Sequence, residues 1–92
     1  MKILDELYEV IEDRQKNPKE GSYVCKLLNG GVDKTLKKIS EEAGEVVIAA
    51  KNPSKSELVW EIADLWFHTL VLMFQSGVTL EDVAAELQKR RK

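Results

Sequence analysis

The chain has 92 residues, with 16 acidic against 14 basic side chains for a net charge of −2, and a single cysteine. That length fits one domain, residues 1–92, burying only roughly 60–65% of the surface its unfolded chain would expose, so self-association would help it. The charge balance gives no basic excess for a nucleic-acid partner, and a lone Cys25 forms no internal disulfide, which suits a reducing cytoplasm.

The opening residues Met1 to Glu6 meet acid too early for a signal h-region. The longest apolar run, Ile62 to Phe74, is broken by Asp64 and His68 and is too short to span a bilayer. The expectation is a cytoplasmic protein with no membrane partner. Cys25 reads as a small buried hydrophobe ahead of a catalytic thiol.

Ile3, Leu4, Leu7, Tyr8, Val10 and Ile11 recur at helical spacing, which predicts an amphipathic helix over residues 2–16. Asn17-Pro18 stops it, because proline disfavours helix at the residue before it. Ser22 can cap a short helix, Tyr23 to Leu28. Asn29-Gly30-Gly31 ends that stretch, since these residues accept left-handed geometry.

A second long helix is predicted from about Asp33, as N-cap, to Lys51. Its apolar stripe is Val32, Leu36, Ile39, Ala43, Val46, Val47 and Ala50, within an arc of about 100°. This stripe is the expected core face. Glu42 lies at its edge and Glu45 farther round, with Lys34, Lys38 and Glu41 continuing that side. Asn52-Pro53 stops the helix, and Ser54 or Ser56 can start the next.

The third long helix is predicted from Ser56 to Ser76 and is apolar over most of its circumference. Only a narrow strip is polar: Glu57, Glu61, Asp64, His68 and Gln75. So much apolar surface in so short a chain predicts a homodimer, with this helix packed against its own subunit and the partner. Trp60, Trp66, Phe67 and Phe74 are read as core and interface. Gly77 is the expected C-cap. Thr79 and Asp82 resemble a capping box for a last helix carrying Leu80, Val83, Ala84 and Leu87. The basic tail Lys89 to Lys92 reads as a solvated end, or as a weaker aid in holding substrate. No run alternates at period two, so the fold class is all-α, a bundle of about four to five helices.

The candidate chemistry sits on two consecutive helices. Glu42 and Glu45 share a side of one, and Glu61 and Asp64 share a side of the other, by the i, i+3 rule. Side by side, the helices would bring four carboxylates together. Such a cluster needs a cation or a raised pKa, and oxygen ligands without cysteine favour Mg²⁺, with Mn²⁺ as an alternative. The competing reading pairs Glu61 and Asp64 with Lys34 or Lys38 as salt bridges. Those lysines would equally suit phosphate oxygens. His68, one turn past Asp64, is either a satisfied core histidine or a group supporting the site, such as a proton shuttle.

The pattern EExxE followed by ExxD resembles the all-α nucleoside triphosphate pyrophosphohydrolases, the MazG-like enzymes and dimeric dUTPases. Ser22-Tyr23-Val24-Cys25-Lys26-Leu27-Leu28, the run Lys37 to Lys51, and Glu57 to His68 resemble more narrowly the phosphoribosyl-ATP pyrophosphatases of histidine biosynthesis. The resemblance covers about residues 3 to 90, and Cys25 stands where alanine or serine is expected. It is the stand-alone form that the chain resembles, without a cyclohydrolase domain.

The resemblance implies a MazG-like fold and Mg²⁺-dependent hydrolysis of phosphoribosyl-ATP to phosphoribosyl-AMP and pyrophosphate, by water attack at the α-phosphorus. It implies metal held by Glu42, Glu45, Glu61 and Asp64, with Glu41 in support and Glu42 orienting or deprotonating the water. Lys34 and Lys38 would meet the triphosphate, and Lys26, Ser22 and Tyr23 the nucleoside or second ribose. It also implies a homodimer. Two readings compete with it: a house-cleaning pyrophosphohydrolase acting on other (d)NTPs, and a non-enzymatic helical dimerisation module.

Overall fold

The computed structural model describes residues 1–91. Among them are five helices and no strand: α1 (Lys2–Lys16), α2 (Tyr23–Asn29), α3 (Gly31–Ala50), α4 (Lys55–Gln75) and α5 (Leu80–Arg90). The all-α expectation holds. No helix among the described residues is long and apolar enough to cross a membrane.

Most helix ends follow local chemistry. Ser22 Oγ accepts from the Cys25 N–H at 3.3 Å and caps α2. Ser54, not Ser56, caps α4 by accepting from the Glu57 N–H. Thr79 and Asp82 form a complete capping box at α5, satisfying two otherwise orphaned donors reciprocally. At the end of α4, Gly77 adopts φ +71°. The Val78 N–H reaches back to Met73 O at 2.8 Å and the Gly77 N–H to Phe74 O at 3.3 Å. This is a Schellman motif, which glycine allows at no steric cost.

One boundary differs. α3 begins at Gly31 and has no side-chain cap, so Asp33 lies inside the first turn. Gly31 has φ +78°, which lets the chain turn from α2 into α3 within a single residue. Asp33 still favours the helix electrostatically there.

The core lies at one end of the molecule, where Ile11 of α1, Val24 and Leu27 of α2, and Leu70, Val71 and Met73 of α4 meet. Tyr8 packs edge-on against Phe74 and donates its hydroxyl to Val78 O at 2.8 Å, tying α1 to the α4–α5 turn. Cys25 is half-buried. Its Sγ accepts from the Lys19 N–H at 3.4 Å and faces Arg14 O at 3.8 Å. The Lys19 N–H above all, then the Ser22 side chain and the positive charge of Arg14, hold its pKa below the ordinary thiol value. It is therefore a hydrogen-bonded joint between α1 and α2 and not a buried hydrophobe. α5 has no buried residue, and Lys89, Arg90 and Arg91 are exposed. Lys92, the last residue of the basic tail, lies outside the described residues.

The side of α3 that faces its own chain is not the predicted apolar stripe. The buried line is Thr35, Glu42 and Ala49. Val32, Leu36 and Val47 of the stripe are 42%, 45% and 64% exposed. The stripe is displaced about 80° around the helix from the buried line. α3 and α4 form the most extensive helix pair of the fold, joined through residues 51–54. So short a connection makes them antiparallel neighbours.

Candidate active site

The α3–α4 pairing decides the site. Glu42 and Glu45 occupy adjacent turns of α3, and Glu61 and Asp64 adjacent turns of α4, on facing sides. One carboxylate oxygen from each of these four residues lies within 4.8 Å of the others. Glu41 stays out of this group. It is exposed, with its carboxylate 3.7 Å from Lys38 Nζ.

Glu42 is the buried member, only 3% exposed. Its Oε1 meets Lys38 Nζ at 3.2 Å. Its Oε2 is buried and has no hydrogen-bond partner. A carboxylate oxygen left so is costly, and it marks a place where a cation belongs. The donor set agrees. Four carboxylates suit a hard cation, and the nearby imidazole has both nitrogens engaged elsewhere.

The electrostatics follow from this crowding. Burial first, then the Glu42 carboxylate beside it, raises the pKa of Asp64. Glu45 is raised by Glu42 and by the charge of Glu61. For Glu42, burial acts upward but the neighbouring Asp64 carboxyl and Lys38 outweigh it, leaving its pKa below the ordinary value. Lys38 is raised chiefly by its bond to Glu42, so its positive charge is secured. The metal-free crowding thus makes Asp64 and Glu45 bind a proton more tightly than isolated carboxyls do.

The salt-bridge alternative fails in its stated form. Among the described residues, Lys38 pairs with Glu41 and Glu42, not with Glu61 or Asp64. Among the described residues Lys34 makes no ion pair, and its side chain lies over Gly30.

His68 is a satisfied histidine at the edge of the site. It is 2% exposed. Its Nδ1 lies 2.8 Å from Asp64 O, and a carbonyl can only accept, so Nδ1 bears the proton. Nε2, 2.8 Å from the Tyr23 hydroxyl, then accepts from it in the neutral ring. Tyr23 stacks on Phe67 as well. The core reading of His68 holds, and its Nδ1–H also holds the backbone carbonyl of Asp64.

Of the residues expected to meet substrate, Ser22 spends its hydroxyl on capping α2, Tyr23 is bound to His68, and Lys26 is exposed on α2. Lys38 is the cation in contact with the quartet. Sequence reasoning did not single out the open cavity of about 510 Å³ beside the acids, which shares Glu45 and Glu61 with them and is lined by Ile48, Asn52, Glu57 and Trp60. It read Trp60 as core and interface; Trp60 is 72% exposed in the single chain, so it is not part of that chain's own core. Its place on the acidic side, about 40° from Asp64, was the available signal.

The family model for phosphoribosyl-ATP pyrophosphohydrolase matches residues 4–91. The chain belongs to this family.

Among its relatives in the family, the phosphoribosyl-ATP pyrophosphatase of Clostridium acetobutylicum is 52% identical over 90 residues, covering 98% of this chain and 82% of that protein. That of Methanococcoides burtonii is 45% identical over 93 residues, covering 99% of this chain and 94% of its own length. The histidine biosynthesis bifunctional protein HisIE of Caldanaerobacter subterraneus is 51% identical over 92 residues, but this chain spans only 45% of it.

Proposed function

We propose that this chain is a single-domain, Mg²⁺-dependent phosphoribosyl-ATP pyrophosphohydrolase that releases pyrophosphate and phosphoribosyl-AMP. The observation that supports this most is the unpartnered Glu42 Oε2 inside a quartet of converging carboxylates. Glu42, Glu45, Glu61 and Asp64 would hold Mg²⁺, or Mn²⁺ in its place, with Glu41 steering from outside. A metal held there would neutralise phosphate charge and lower the pKa of a bound water.

The chain's own residues supply the rest. Glu42, held at Oε1 by Lys38, orients the water toward the α-phosphorus. Lys38, exchanging part of its pairing with Glu41, meets the triphosphate, and Lys34 extends the positive surface along α3. Tyr23 and His68 keep Asp64 in place. Ser22 holds α2 where Lys26 can reach the second ribose phosphate.

We also propose a cytoplasmic homodimer. The exposed α3 stripe and the α4 face bearing Val59 and Trp66 leave apolar surface for a second copy. An apolar groove of about 370 Å³ formed by Leu4, Leu65, Trp66 and Val83 continues that surface.

The test is pyrophosphate release from phosphoribosyl-ATP with Mg²⁺ and with EDTA, beside a panel of dNTPs. Metal-dependent release specific to phosphoribosyl-ATP supports the assignment. A strong dNTP preference would replace it with the house-cleaning reading, and no release from any nucleotide with the dimerisation module.

A further inference from the structure

Two large apolar side chains lie outside the apolar faces proposed above for self-association. Ile48 is 66% exposed and Trp60 72% exposed, and both line the cavity next to the carboxylate quartet. On α3, Ile48 lies about 150° from the centre of the apolar stripe. On α4, Trp60 lies about 40° from Asp64, while Val59, Ile62 and Trp66 occupy the opposite side. Ile48 and Trp60 therefore belong to the acidic face, not to the apolar one.

Their neighbours are polar: Asn52, whose amide offers both a donor and an acceptor, and Glu57, at the start of α4. An apolar floor, one indole, one amide and one carboxylate, opening directly onto a metal-binding cluster, suit a flat heteroaromatic ring whose phosphates reach that cluster. The volume, about 510 Å³, is that of a small-ligand site.

We propose that this cavity is the base subsite, in which Trp60 stacks on the purine ring and Glu57 faces a positive charge on that ring. The inference rests on the proposed substrate. Phosphoribosyl-ATP bears its extra ribose on a ring nitrogen of adenine, and alkylating such a nitrogen makes the ring a cation near neutral pH. A cationic ring gains twice here, from the face of the indole and from the carboxylate. Ordinary ATP, with a neutral ring, gains only the stacking. Trp60 and Glu57 thus act as specificity determinants separate from the four acids.

The experiment compares wild type with Trp60→Ala, Trp60→Phe and Glu57→Gln. Trp60→Ala is expected to raise KM for phosphoribosyl-ATP about ten-fold or more, with kcat changed less than about two-fold, and Trp60→Phe to restore much of it. Glu57→Gln is expected to shrink the preference for phosphoribosyl-ATP over ATP by about ten-fold. Mn²⁺ binding to each variant, followed by electron paramagnetic resonance without substrate, should match wild type. Unchanged KM and unchanged preference would overturn the subsite. So would a Trp60→Ala chain of altered dimer mass, which would assign Trp60 to subunit contact.

A separate measurement keeps this distinct from the substrate assignment. ATP methylated on that ring nitrogen should quench tryptophan fluorescence in wild type more strongly than ATP does, and neither should quench it in Trp60→Phe. If phosphoribosyl-ATP were not turned over but this quenching persisted, the reaction would be wrong and the subsite right. Absence of quenching would sink the subsite whatever the reaction.

Discussion

The Tyr23 hydroxyl and His68 Nε2 lie 2.8 Å apart, and the other nitrogen of that ring is held at the same distance by the carbonyl of Asp64. A contact between α2 and α4 thereby fixes the turn that presents a site carboxylate. The ring is almost fully buried, so neither nitrogen finds water as a substitute.

Removing the hydroxyl should therefore be felt in two ways. Tyr23→Phe leaves Nε2 a buried acceptor without a donor, which costs about 1–3 kcal/mol. In a domain of this size each kcal/mol lowers Tm by roughly 4–8 °C. Bracing groups behind metal ligands typically contribute about 10–100-fold in metal affinity or activity. A thermal melt together with Mn²⁺ titration checks both. A variant with wild-type Tm and wild-type metal affinity would show that the contact is incidental.

Glu61→Gln separates metal binding from packing. The amide keeps the shape of the side chain and removes one of four crowded charges. Mg²⁺-dependent turnover should fall by about 100-fold or more. The metal-free fold should melt no lower than wild type, because Glu45 loses a repelling neighbour. Turnover near wild type would place the metal elsewhere.

The quartet also predicts how metal and pH interact. Asp64 and Glu45 have folded-state pKa values raised above the ordinary ones, Asp64 by burial and Glu42, and Glu45 by Glu42 and Glu61. A raised carboxyl binds its proton more tightly when folded. Its contribution is thus fully present below the unfolded pKa and is lost as pH rises through the folded one. Glu42, with its lowered pKa, acts in the opposite sense and is stabilising above its unfolded value. Mg²⁺ would neutralise the same crowded charge that favours proton binding at Asp64 and Glu45. Its addition should raise Tm more at about pH 7.5 than at about pH 5, and should release protons on binding. Differential scanning fluorimetry at the two pH values reads the first effect, and calorimetry in buffers of different ionisation enthalpy the second.

Trp66 tests the subunit contact. It is 45% exposed in the single chain and lines the apolar groove between α1, α4 and α5. Trp66→Ala should cost the dimer roughly 3 kcal/mol or more, in the range of large aromatic truncations. Sedimentation should show a shift toward monomer at low protein concentration. A dimer of unchanged strength would move the interface to another face.

Local chemistry made much of this legible in the sequence. Ser22, Ser54 and the Thr79–Asp82 pair cap helices because a side-chain oxygen meets an orphaned N–H within three residues, which needs no distant partner. Gly77 ends α4 for an equally local reason. The spacing of Glu42 with Glu45, and of Glu61 with Asp64, follows from helical periodicity alone. What the sequence could not give is which side of α3 faces its own chain. The hydrophobic stripe marks a surface that avoids water, but it does not say whether that surface is covered by this chain or by another copy. Packing against α4 placed the line Thr35, Glu42 and Ala49 inside, and so buried one carboxylate among three others. The Tyr23–His68 contact, the convergence of the four carboxylates and the burial of Glu42 all depend on contacts between separate helices. Those are decided only when the helices pack, because the energies that choose them come from burial and from partners that no local window contains.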